Sequence, residues 1–140
     1  MNEKSLKILE FHKIISQLTE YAASQPGKAM CQNLAPSSDY EEILTWQAQT
    51  TDAVSRVRMK GTISFSGVKD IGDSLKRLEI GSSLNIIELL SISSLLTVAA
   101  RARSYGRHEP QEDDGDSEEF DSLEPMFRAL EPLTPLNNEI

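Results

Sequence analysis

A metal site or a catalytic centre needs side chains that converge, and this sequence offers few that could. His12 and His108 are far apart, and neither has a second histidine or a carboxylate at metal-ligand spacing. Cys31 is the only cysteine, so an internal disulfide and a cysteine-built zinc site are both excluded; it reads as a small filler of the core. Gly61 and Gly67 followed by Lys69 hint at a phosphate loop. Such a loop requires Gly-Lys-Ser/Thr as a unit, however, and here Val68 separates Gly67 from Lys69 and Asp70 follows. The carboxylates of 112–119 lack the alternating ligands and placed glycine of a calcium loop. No catalytic residue, metal ligand or cofactor is assigned within the chain.

Two basic groups remain. Arg56, Arg58 and Lys60 sit at one predicted helix end, and Arg101, Arg103 and Arg107 at another. They could neutralise phosphates of a nucleic acid or meet a protein partner. The plainer reading is that they complement helix dipoles and keep the surface soluble. No aromatic residues interleave with them as a single-strand stacking platform requires.

Charge is distributed unevenly. Residues 1–108 carry thirteen Lys/Arg against eleven Asp/Glu, a net of +2, whereas 109–140 carry one basic residue against eleven acidic ones, a net of −10. The excess sits mostly in 109–119, which has no aliphatic or aromatic side chain to offset its ordering entropy and is expected to be a solvated, mobile loop. Bulk acidity therefore does not argue against a nucleic-acid partner. No apolar run approaches the length of a signal-peptide core or a membrane span, so a cytoplasmic protein is expected.

The elements that must position these groups are helices. Leu6 and Leu9, then Phe11, Ile14, Ile15, Leu18 and Ala22, make an apolar stripe that predicts one helix ending near Ser24. Pro26 suits the first turn of a second helix with Ala29, Met30 and Leu34 inward, closed by Pro36. Ser38 and Glu41 have capping-box spacing and open a third, running to about Met59, with Ile43, Trp46, Ala53, Val54 and Val57 buried. Asp70 can cap a short helix stopped at Gly81. Asn85 and Glu88 open a long helix to about Tyr105-Gly106, whose broad apolar arc predicts the central position. Leu123, Met126, Phe127 and Leu130 predict a short helix broken by Pro132 and Pro135. Asn137 to Ile140 read as the cap and first turn of another, which predicts a truncated chain. The fold class is all-α, with a helical region at 1–108, an acidic loop at 109–121 and further helices beginning at 122–140.

The order of these elements resembles a known family. Leu9-Glu10-Phe11, Tyr21-Ala22-Ala23-Ser24, Gly27-Lys28 and Leu34-Ala35-Pro36-Ser37 resemble the opening of the type-two bacterial MutS proteins, the Smr-domain-bearing relatives of mismatch-repair MutS. The resemblance continues through Glu41-Glu42-Ile43, Thr51-Asp52-Ala53, Lys60-Gly61 and Asp70-Ile71. It extends to Ser74-Leu75-Lys76-Arg77, Ile80-Gly81 and Glu88-Leu89-Leu90. It covers residues 3 to about 107 well and 122–140 loosely, while the acidic stretch departs from it. Each motif consists of packing and capping residues, and only their order and spacing together are specific.

The resemblance implies an N-terminal piece of a larger ATPase, part of the core that links a nucleic-acid clamp to a dimerising ATP-binding domain. ATP and Mg, homodimerisation and the Smr nuclease would belong to the rest of the parent chain, and none of their motifs has a matching position here. The family is associated with suppressing homologous recombination through branched DNA and with action on stalled ribosomes. The expected partners are accordingly the remainder of the parent chain and branched DNA or the ribosome, with no membrane. The competing expectation is a free-standing helical adaptor that binds a protein partner, its acidic loop engaging a basic surface.

Overall fold

The computed structural model describes residues 3–107 and 121–140. The expectations for the acidic loop fall outside these residues except at Asp121. Eight helices and no strands occur among the described residues: α1 (Glu3–Ile8), α2 (Phe11–Tyr21), α3 (Gln25–Gln32), α4 (Tyr40–Lys60), α5 (Gly72–Glu79), α6 (Ile86–Gly106), α7 (Glu124–Arg128) and α8 (Thr134–Glu139). The all-α reading holds. None of these helices is long and apolar enough to cross a membrane.

Helix α6 occupies the centre. Its start is the predicted capping box: the Asn85 side chain accepts the Glu88 amide at 2.9 Å, and Glu88 accepts the Asn85 amide at 2.8 Å. Leu96, Val98 and Ala102 are the buried apolar residues among those described, and all three lie on α6. Helices α7 and α8 pack against it. The Ser93 hydroxyl donates to the Asn137 side chain at 2.7 Å, which seats α8. The loop after α4 reaches α6 as well, with the Tyr105 hydroxyl donating to the Gly61 carbonyl at 2.9 Å. Helices α1, α2 and α3 pack on one another and join the rest through Gln25, whose amide donates to the Val68 carbonyl at 3.1 Å.

Several local expectations are corrected. The first stripe is two helices, because Glu10 adopts a left-handed conformation (φ 52°) that ends α1 and restarts the chain as α2. Helix α2 stops at Tyr21, and Ser24 serves as the cap of α3, its hydroxyl accepting the Gly27 amide at 3.1 Å. At the start of α4 the cap is Asp39, which accepts the Glu42 amide at 3.1 Å, one residue beyond the predicted Ser38. Pro135 opens α8 as a first-turn residue and breaks nothing, so the cap is Leu133, four residues before the expected Asn137.

The largest correction concerns burial. Met30 is 75% exposed, and Ala29, Leu34, Trp46, Val54 and Val57 are exposed as well. Their helical spacing is real, but no element among the described residues buries them.

Candidate functional site

The two basic groups, separate in the sequence, meet at one end of the fold. The carboxyl ends of α4 and α6 lie side by side there, because Arg56 and Lys60, one turn apart on α4, both reach the last carbonyls of α6. Arg56 donates to the Gly106 carbonyl at 3.2 Å and to the Tyr105 carbonyl at 3.5 Å, and Lys60 donates to the Arg107 carbonyl. These carbonyls have no partner within their helix, so cations satisfy them and complement the negative end of the dipole.

Arg56 is buried, its side chain only 7% exposed. It pairs with Asp121 through both Nε and a terminal nitrogen, the latter at 2.8 Å, the forked geometry that a planar guanidinium makes with a carboxylate. The Phe127 ring lies under the guanidinium carbon at 5.1 Å and meets Tyr105 edge-on at 5.7 Å. Asp121 in turn accepts the amides of Leu123 and Glu124 at 3.1 and 3.0 Å and so begins the turn into α7. One turn back on α4, Asp52 accepts the Ser122 amide at 2.8 Å. Gly106 is required where α6 meets α7, since a Cβ at that position would collide with Phe127.

The electrostatics follow from these contacts. The hydrogen bond from Arg56 holds the Asp121 carboxyl below its ordinary range, helped by the charge of Arg56 and by the two amides and opposed by burial. Arg56 is held above its own ordinary value, chiefly by the bond to Asp121. Asp121 and Phe127 as partners of Arg56, and Ser122 as the partner of Asp52, were not legible, because nothing local in the sequence links positions so far apart.

The six predicted basic residues divide accordingly. Arg56 faces inward, and Arg103 donates to the Leu130 carbonyl at 3.0 Å and lies 3.6 Å from the Glu131 carboxylate. Arg58, Arg101 and Arg107 are exposed, as is Lys60 beyond its single carbonyl contact. At the other end of α6, Glu88 accepts a 2.6 Å bond from Arg77 and a 3.2 Å bond from Ser74, tying α5 to the start of α6. The Asn85 amide, ahead of Ser74 and Arg77, holds the Glu88 carboxyl below its usual range.

One hollow among the described residues is an open groove of about 480 Å³ between α1, α2 and α3, lined by Leu6, Phe11, Ile15, Leu34 and His12 among others. Ser16 also lines it, but its hydroxyl donates to the His12 backbone carbonyl at 2.9 Å. Among the described residues no three His, Cys, Asp or Glu side chains are grouped to hold a metal ion. The class of the protein is therefore that of an all-helical segment organised around a buried ion-paired joint.

Relatives give the family. The chain is 49% identical over all 140 residues to the endonuclease MutS2 of Lachnoclostridium phytofermentans, of which it covers 18%. It is 44% identical over its whole length to that of Agathobacter rectalis, covering 17%. It is 34% identical over 146 aligned positions to that of a Geobacillus species, covering 19%. No family model matches the chain. The chain is a segment of a MutS2-type protein, and it spans about a sixth to a fifth of the relatives that it matches from end to end.

Proposed function

We propose that this chain is a mechanical core segment of a MutS2-type protein, a strut that passes nucleotide-driven movement of an ATPase to a nucleic-acid-gripping part. The observation that carries this reading is that α6 is tied at both ends. Glu88 binds it to α5, and Arg56 binds it to α4 and α7. The two joints lie eighteen residues apart on one helix, or about 27 Å at 1.5 Å per residue. A helix fixed at both ends moves as a unit, which is what transmission needs.

The relatives are named as endonucleases, and cutting belongs to parts of the longer polypeptide outside these 140 residues, as do ATP, its Mg ion and homodimerisation. The exposed cations Arg58, Lys60, Arg101 and Arg107 are the residues that would approach phosphates of branched DNA or of ribosomal RNA. The apolar faces left open on α2, α4 and α5 are where the rest of the parent would pack. The adaptor alternative requires a coding sequence that ends after Ile140, whereas the core reading requires a Walker loop several hundred residues downstream.

The direct experiment uses the longer protein carrying Arg56→Met. Nucleic-acid stimulation of ATP turnover should be lost while unstimulated turnover persists. Stimulation of ordinary size in a folded variant would contradict a transmitting role for this joint.

A further inference from the structure

Five residues of α4, Ile43, Trp46, Thr50, Ala53 and Val57, follow one another at alternating spacings of three and four. That period of 3.5 places them in one straight seam along the helix, the pattern by which a helix receives a second helix at a shallow angle. The seam is only partly covered: Ile43 and Ala53 are half-buried, but Trp46 is 39% and Val57 45% exposed, and Thr50 is exposed between them. Its neighbour Arg56 points elsewhere, into the joint with α6 and α7, so α4 is anchored on one side and open on the next.

We infer that this face of α4 receives one amphipathic helix, running antiparallel to α4, from the part of the longer polypeptide outside these 140 residues. The inference rests on the core reading proposed above and adds the face, the partner's form and its direction. Seam spacing selects a helix over a strand or a small ligand. Direction comes from charge: α4 is acidic in its first turn, at Glu41 and Glu42, and basic in its last, at Arg58 and Lys60. Helices in general favour acids at their start and bases at their end, so an antiparallel neighbour sets opposite charges and opposite dipole ends side by side.

The source follows from two observations. The relatives matched end to end are five to six times longer than this chain, which covers 16–19% of them. Apolar residues are also open elsewhere, with Ile86, Ile87 and Leu90 on α6 and Leu75 and Leu78 on α5. A two-fold pairing with a second copy through α4 would cover a single face and leave these bare.

The test compares thiol labelling of Thr50→Cys, in the seam, with that of Ser55→Cys on the far side of α4. Each is made both in the 140-residue chain and in the longer polypeptide, with maleimide uptake read by mass spectrometry on the peptide that carries the new cysteine. Labelling at residue 50 should be at least tenfold slower in the longer polypeptide, and labelling at residue 55 should be unchanged. Equal rates at residue 50 in the two proteins would overturn the inference, as would equal protection of residues 50 and 55. Protection at residue 50 that grows with the concentration of the 140-residue chain assigns the seam to a second copy and also overturns it. The core reading is judged separately by nucleic-acid stimulation of the Arg56→Met protein, which does not involve residue 50.

Discussion

Arg56 and Asp121 are 65 residues apart in the chain, yet their side chains meet in a forked pair, one bond of which measures 2.8 Å. Cations of α4 hold both Arg107, just past the end of α6, and Asp121, just ahead of α7. Burying a guanidinium is costly unless every donor finds an acceptor, and here the carboxylate, the Tyr105 and Gly106 carbonyls and the Phe127 ring share that task. The joint therefore depends on several elements at once, and each can be tested by itself.

The contact between α6 and α7 should be intolerant of added volume. Gly106→Ala places a methyl group against the Cβ of Phe127, an atom close to the backbone that cannot swing aside. Overpacking of this kind typically costs about 1–3 kcal/mol. A clear drop in the urea midpoint is expected, along with weaker Tyr105–Phe127 ring contact in the aromatic NMR shifts. An unchanged midpoint would show that α7 is not seated as described.

The centre of the fold is tested by Leu96, which is 8% exposed on α6. Truncating a buried leucine to alanine costs about 2–5 kcal/mol, and a domain of this size has only about 5–15 kcal/mol to lose. Leu96→Ala should lower the denaturation midpoint severely. Arg103→Ala removes one hydrogen bond to a carbonyl and a long, largely exposed ion pair, worth roughly 1 kcal/mol or less. Equal, small effects from the two variants would make α6 peripheral.

Acid should loosen the joint in a defined window. The folded Asp121 carboxyl lies below its ordinary range, so as pH falls the unfolded chain takes up that proton first. The stability it contributes is complete above the ordinary aspartate titration near about pH 3.9 and is lost as pH drops toward the lower folded value. Asp121→Asn should be less stable at pH 7 and should show a flatter decline below pH 4.5 in urea titrations. A parallel decline in both proteins would remove Asp121 from the acid limb.

Much of this architecture was legible in the residues. The Asn85–Glu88 box, the Gly81 end of α5 and the apolar arc of α6 are local patterns that local geometry realises, whereas the cap position of α5 falls to Ile71 and Asp70, one residue earlier, accepts the Gly72 amide at 2.8 Å. The break at Glu10 was not legible, because no Gly, Pro or Asn marks it, and an ordinary residue takes the left-handed conformation. Burial failed for a different reason. Helical spacing at Trp46, Val54 and Val57 reports an apolar face, but it says nothing about whether any element among the described residues packs on that face. Arg56 looked like its exposed neighbours Arg58 and Lys60, since only the return of the chain at Asp121 singles it out.

The central claim is that Arg56 and Asp121 form one coupled joint, and a double-mutant cycle in urea denaturation measures this most directly. Arg56→Met and Asp121→Asn are made singly and together in the 140-residue chain. Removing one member of a buried pair strands the other and typically costs about 3–5 kcal/mol, so each single variant should be strongly destabilised. The double variant should be far more stable than the sum of the two losses predicts, with a coupling of about 2 kcal/mol or more. Additivity within about 0.5 kcal/mol would show that the two residues act independently, and the joint described here would not exist.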